Sequence, residues 1–229
     1  MSVSALDYQD KQAAYFANAR REIAPLLARL PQRPIRVLEL GCGNGATLAW
    51  LRSQTPVEHA SGVELFADAA QQAAQQAERI LQGNLEQMLE QGALPFQAGE
   101  FDLILCMDVL EHLVDPWRVT RACAGWLRPG GLLIASIPNV RNWRALLPLL
   151  FAARWEYSEA GILDRTHLRF FTGASARALL TQAGLQIDDA QRLPFAVSPK
   201  ARWANRLSLG LLRDFLTLQF LLTARKPGP

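Results

Sequence analysis

Cysteine, lysine and histidine are scarce in this 229-residue chain, with three of each. Cys42, Cys106 and Cys123 form no Cys-x-x-Cys pair, and their number is odd. A disulfide framework and a cysteine-rich zinc site are thereby excluded, and a reducing, cytoplasmic setting is expected. Lys11, Lys200 and Lys226 are the only lysines, and none completes a Tyr-x-x-x-Lys proton relay. Long apolar runs are missing too. The most apolar stretch, "LSLGLLRDFLTLQFLLTARK", is broken by Arg213 and Asp214, and neither half reaches the length of a membrane span. The start, "MSVSALDYQDKQ", lacks the cationic and apolar regions of a secretory signal.

Half of the residues are hydrophobic and no long low-complexity tract appears. One sizeable core spanning residues 1–229 is therefore expected. Net charge is only +3 but uneven. Residues 1–140 hold 11 Lys and Arg against 15 Asp and Glu, and residues 141–229 hold 13 against 6. An anionic partner for the C-terminal part and an ordinary arginine-rich solvated surface both fit, and the second is simpler.

Apolar side chains at helical spacing (Leu6, Tyr15 or Phe16, Ile23, Leu26, Leu27, Leu30) predict a helix over 4–30, capped by Ser4 and ended by Pro31 and Pro34. "IRVLEL" reads as a buried strand, followed by a glycine turn and the short helix "ATLAWLRSQ". "HASGVEL", "RILQGN", "FDLILCM" and "LLIASIP" read as four more strands. "FADAAQQAAQQAERI" and "DPWRVTRACAGWL" read as helices, the second with Asp115 as N-cap and Pro116 at its first position, and "RPGG" as a turn. The alternation from Ile35 to Pro138 predicts a parallel sheet with helices on both faces. Residues 139–170 break the pattern with a short apolar helix and a polar loop, as a specificity-bearing insertion would. "GASARALLTQAG" and "ARWANRLSLGLL" then read as helices, and "LQIDDAQRL" and "FLTLQFLLTARK" as strands.

In an open parallel sheet, ligands bind beyond the C-terminal strand ends. Gly41, Gly43 and Gly45 let the backbone turn sharply there and let a ligand touch it. With Ala46 the turn formally fits the dinucleotide pattern G-x-G-x-x-A, and Glu64, 19 positions after Gly45, suits a ribose diol in either NAD or an adenosyl ligand. Glu39 leans toward the second. It would repel a pyrophosphate and would suit a cationic sulfonium. Cys42 reads as a small filler of the turn.

"VLELGCGNG", "GVEL", "FDLILCMDVLEHLVDP" and "LRPGGLLIASIPN" together resemble the successive motifs of class I S-adenosylmethionine-dependent methyltransferases, from about Val37 to Asn139. The flanks "YFANARREIAPLL" and "DRTHLRFFT" are similar to those of bacterial methyltransferases associated with surface glycans. The stretch "PNVRNWRALLPLL" more distantly resembles a methyltransferase-like protein of methionine biosynthesis. The resemblance implies an α/β, doubly wound, Rossmann-like, mostly parallel seven-stranded sheet with an antiparallel last strand. It divides the domain into an N-terminal helical lid (1–34), a cofactor-binding core (35–138), a lid-like insertion after the fifth strand (139–170) and a C-terminal completion (171–229). Gly41, Cys42 and Gly43 would line the methionine part of S-adenosylmethionine, with Glu39 close by. Glu64 would bind the ribose and Leu65 the adenine. Met107, Asp108 and Val109 would edge the pocket. The family's Gly-Asp pair after the third strand is Gly83-Asn84 here, and the Asn84 carbonyl can still accept from the adenine amino group.

Methyl transfer is an in-line displacement in which the protein aligns the nucleophile and removes its proton. His59 opens the second strand at the far end of the sheet, which leaves His112 and His167 as candidate bases. His167 with Asp164 and Arg165 forms the better substrate-side group, aspartate orienting the imidazole and arginine holding an anion. Tyr15 and Arg20 would complete the lid. Asp108, Glu111 and His112 have the spacing Asp-x-x-Glu-His, similar to a metal-holding Glu-x-x-Glu-His pattern of quinone-pathway O-methyltransferases, but bracing of the post-strand segment explains them as well and no metal is expected.

The favoured reading is a methyltransferase acting on an oxygen of a small polar or sugar-containing acceptor, releasing S-adenosylhomocysteine. Three readings compete with it. An NAD oxidoreductase lacks its proton relay. A nucleic-acid methyltransferase lacks the Asn/Asp-Pro-Pro-Tyr/Phe-type motif, so no nucleic-acid partner is expected. A catalytically weak relative that binds cofactor within a biosynthetic complex stays open, as does a homodimer.

Overall fold

The computed structural model describes residues 18–194, 203 and 205–228. Ser4, Leu6, Tyr15 and Phe16 lie outside them, as do residues 201, 202 and 204 of the expected helix "ARWANRLSLGLL". The strands are β1 (Ile35–Leu40), β2 (Val57–Glu64), β3 (Arg79–Gln82), β4 (Phe101–Met107), β5 (Leu127–Pro138), β6 (Gln186–Pro194) and β7 (Thr217–Arg225). They form one sheet in the order β3-β2-β1-β4-β5-β7-β6. β1 to β5 pair in parallel, and β7 alone runs antiparallel, between β5 and β6.

The helices are α1 (Ala46–Gln54), α2 (Ala67–Ala73), α3 (Leu85–Glu90), α4 (Pro116–Trp126), α5 (Trp143–Ala152), α6 (Gly173–Gln182) and α7 (Arg213–Leu216). Strand alternation splits the core into two layers. Leu103 and Leu105 of β4 join Val37, Ile23, Leu26, Leu48 and Leu51 on the face covered by α1 and the N-terminal segment. Ile104 and Cys106 join Leu38, Val119, Cys123, Leu179 and Leu180 on the face covered by α4 and α6.

Several local expectations change. The described part of the N-terminal helix is a 3-10 helix, Arg21–Arg29, with Pro25 inside it. Proline lacks the N–H that a longer α-helix would use there. The alanine-rich helix stops at Ala73, well short of Ile80. Its strong propensity yields to tertiary ties: Glu78 accepts from Ala60 N at 2.7 Å, and β3 begins one residue later beside β2. The "RPGG" turn lies within β5, where pairing jumps from Phe101–Leu127 to Leu103–Leu132 and Gly130 takes φ 78°. Helix α3 forms where no element was expected. Phe215 and Leu216 belong to α7, not to the last strand.

Gly62 in β2 leaves room for the turn below it. A Cβ there would stand 2.6 Å from Cys42 Sγ and 2.8 Å from Ile80 Cδ1. Gly62→Ala is expected to lower unfolding stability by about 1–3 kcal/mol, measured by urea titration. An unchanged midpoint would show that the turn can shift without cost.

Candidate active site

The turn after β1 is tied to β2 from below. Val63 O accepts from Gly41 N at 2.8 Å and from Cys42 N at 3.2 Å. Gly41 and Gly43 take φ 67° and 53°, left-handed values that a side chain strains. A Cβ on Gly41 would also lie 2.7 Å from Val109 Cγ2. Glu64, at the end of β2, accepts from Gly43 N at 2.8 Å and from Phe66 N at 3.0 Å. Burial raises the Glu64 carboxyl, and these amides hold the rise back.

A cavity of about 490 Å³ opens beyond the C-terminal ends of β1, β2 and β4. Glu39, Gly41, Cys42, Gly43, Glu64 and Leu65 line it, and so do Arg20, Asn84, Met107, Asp108, Val109 and His112. Thr47 and Glu86 line it as well and were missed. Thr47 carried a signal, as a hydroxyl in the first turn of the helix behind the glycines.

Glu39 is buried, and Oε2 has no hydrogen-bond partner. Its carboxyl is pushed up to about 8, chiefly by burial, with Glu64 adding and Thr47 and Arg20 opposing. Burial likewise pushes the Cys42 thiol up, which fits a filler and not a nucleophile. Asp108 sits at φ 58°. Its carboxylate accepts from Arg20 Nη1 at 2.5 Å, from Ser136 Oγ at 3.0 Å and from Gln219 Nε2. Arg20 also donates to Glu22 at 2.6 Å. Burial alone would lower the Arg20 pKa, but the charges of Asp108 and Glu22 more than reverse that. Arg20 is therefore a fixed cation in the wall.

Asn84, His167 and Arg165 stand otherwise than expected. The Asn84 carbonyl is not available to an adenine amino group. Oδ1 caps α3, accepting from Glu86 N at 3.0 Å and Gln87 N at 3.1 Å, which uses both lone pairs. His167 is buried behind His112, its ring 4.7 Å away, and it does not line the cavity. Asp164 Oδ1 accepts from Thr166 N at 2.9 Å and Thr166 Oγ1 at 2.6 Å, and Thr166 in turn contacts His112. Asp164 thus braces His112 through Thr166. Arg165 is half-exposed, pairs with Glu159 and lies away from the cavity. Tyr15 falls outside the described residues.

His112 Nδ1 lies 3.1 Å from Thr166 O and 3.2 Å from Thr166 Oγ1, and the carbonyl, which can only accept, favours the tautomer with the proton on Nδ1. Glu111 is fully buried with neither carboxyl oxygen hydrogen-bonded, and its main-chain carbonyl accepts from Leu168 N and Arg169 N at 2.8 and 2.9 Å. Among the described residues, Glu111, His112 and His167 bring potential ligand atoms within 4.8 Å of one another. Asp108, turned to Arg20, is not in that group.

The cavity wall carries Glu22, Glu39, Glu64, Glu86 and Asp108 against the guanidinium of Arg20, which Glu22 and Asp108 already pair. This excess of acidic groups suits a ligand with cationic charge better than a pyrophosphate. Residues 15–190 match a family model described as a methyltransferase domain. The chain belongs to this family of methyltransferases, with S-adenosylmethionine as cofactor. A ubiquinone biosynthesis O-methyltransferase of Xanthomonas axonopodis pv. citri is 31% identical over 206 residues, covering 87% of this chain and 80% of the relative. One from Psychrobacter arcticus is 29% identical over 202 residues, covering 84% and 72%. A S-adenosylmethionine-dependent methyltransferase from Archaeoglobus fulgidus superposes with a TM-score of 0.63 at 17% identity, covering 93% of this chain and 96% of that one.

Glu39 makes a testable contribution to stability. The folded state keeps its proton up to about pH 8, while the unfolded carboxyl releases it near pH ~4.3. Stability should therefore fall as pH rises through that window. In urea titrations at a series of pH values, Glu39→Gln should lose this part of the slope. Parallel slopes for the two proteins would show that Glu39 is ionised in the fold.

Proposed function

We propose that this methyltransferase alkylates a hydroxyl oxygen of a small polar or sugar-containing acceptor, with His112 as the general base. The carrying observation is the placement of His112: it lines the cavity, and a hydrogen bond from Nδ1 to the Thr166 carbonyl would leave Nε2 as the basic nitrogen. Asp164 supports this reading by fixing Thr166. The relatives named as O-methyltransferases support oxygen as the methylated atom. A positioned base and an intact acidic wall favour an enzyme over a binding-only relative.

Bound S-adenosylmethionine supplies an electrophilic methyl group on sulfur. The glycine turn would receive its methionine part, with Glu39 offsetting the cationic charges. Glu64 would hold the ribose diol and Leu65 would pack on the adenine. Arg20, anchored on Asp108, would face the ligand carboxylate or the acceptor. His112 would take the acceptor's proton as the oxygen–carbon bond forms and the carbon–sulfur bond breaks, leaving S-adenosylhomocysteine. His167 acts from behind, packing the His112 ring in place.

His112→Ala should keep the thermal shift produced by S-adenosylhomocysteine and lower kcat by about 10²–10⁴-fold. Retained turnover would remove the base. A chelator should leave activity unchanged. Loss on chelation, restored by a divalent ion, would instead give the proton-removal role to a metal. Stabilisation by NAD with none by S-adenosylmethionine would end the cofactor assignment, and a product methylated at nitrogen would end the oxygen assignment.

Asn84 offers a second test. Its capping role leaves it an amide donor, where an aspartate would retain a second acceptor oxygen. Asn84→Asp should tighten S-adenosylhomocysteine by about two- to tenfold in calorimetry, the worth of one hydrogen bond. Unchanged or weaker binding would place the adenine amino group elsewhere.

A further inference from the structure

Eleven large apolar side chains stand exposed among the described residues, and nine of them lie in just two segments, 143–157 and 203–211. Single exposed apolar residues are ordinary, but concentration of this kind marks a contact surface. The first segment contains α5, which shows Trp143, Leu149, Leu150 and Phe151 to solvent, Phe151 at 83% exposure. The second shows Leu207, Leu209 and Leu211. Both flank one corner of the fold, where Asn139 and Asn142 donate to the carbonyls of Asp214 and Thr217.

The charge along α5 is mainly basic, with acids only at its ends, where Arg141 stands 3.7 Å from Asp214 and Arg154 3.9 Å from Glu156. Residues 141–154 include Arg141, Arg144 and Arg154 and no acid. The Arg144 guanidinium lies over the Trp143 ring, 5.5 Å from its centre. Apolar residues with an interfacial tryptophan and flanking arginines are the composition of a helix that lies in the plane of an anionic bilayer surface. A second copy of the chain is a poorer occupant, because a two-fold contact through α5 would bring its arginines together.

We propose that the exposed face of α5 docks the protein onto an anionic lipid surface, with Leu207, Leu209 and Leu211 as further apolar contacts. The face lies on the insertion that also carries Thr166, the residue touching His112. Docking would thus hold the crevice near the bilayer. The proposal is independent of the catalytic assignment, because its test reads binding and not turnover.

The experiment is co-sedimentation of the full chain with vesicles of phosphatidylcholine alone or with about one-third phosphatidylglycerol. Binding to the anionic vesicles, weak binding to the neutral ones and release by salt are expected. The double variant Leu150→Asp/Phe151→Asp should bind about tenfold or more weakly, as should Arg141→Gln/Arg144→Gln on anionic vesicles. Both should keep the thermal shift with S-adenosylhomocysteine, which reports an intact fold. No sedimentation of the wild type, or equal sedimentation of the Leu150/Phe151 variant, would overturn the proposal. A dimer in gel filtration that this variant converts to monomer, without vesicle binding, would assign the face to a second copy instead.

Discussion

The site depends on one carboxylate accepting two backbone amides. Glu64 ends β2, yet it holds Gly43 in the turn after β1 and Phe66 at the entry to α2. The two strands are already paired in parallel, so the contact adds no topology. What it adds is a fixed position for the glycine turn, which has no side chains of its own to pack. With the Val63 carbonyl receiving Gly41 and Cys42 from below, the bend is clamped on two sides before any ligand arrives. Such preorganisation lowers the ordering cost of binding.

Around that clamp the protein manages buried charge in two ways. Glu39 has no cation in direct contact and stays protonated over much of the physiological range. Asp108 has several partners, and Arg20 and Ser136 neutralise and hold it. The first arrangement keeps an acid neutral in the cavity wall. The second makes a rigid wall from a strained left-handed residue.

The sheet was legible because its strands are short, apolar and punctuated by glycine and proline, and the cavity wall was legible because the glycine turn and Glu64 are local signals on consecutive strands. What escaped notice depended on distance in sequence. That Asn84 spends its carbonyl on α3 could not be seen without knowing that a helix starts there. That His167 stands behind His112 needed the insertion's path, which brings residues 166–169 onto 111–112. Arg165 next to them faces the other way, a matter of one residue in an irregular loop. The alanine-rich helix failed for the opposite reason: its local preference was strong and the sheet overruled it.

Asp108 gathers groups from distant parts of the chain: Arg20, Ser136 on β5 and Gln219 on β7. On the ribosome, the crevice would therefore remain unfinished until residue 219 has left the exit tunnel and β7 has slid between β5 and β6. A nascent chain that had already made the glycine turn would have a place for cofactor but a loose far wall. Closing contacts so far apart in sequence is slow, so maturation of the pocket should lag well behind its first half, and truncation products ending before β7 should be poor enzymes even where they fold.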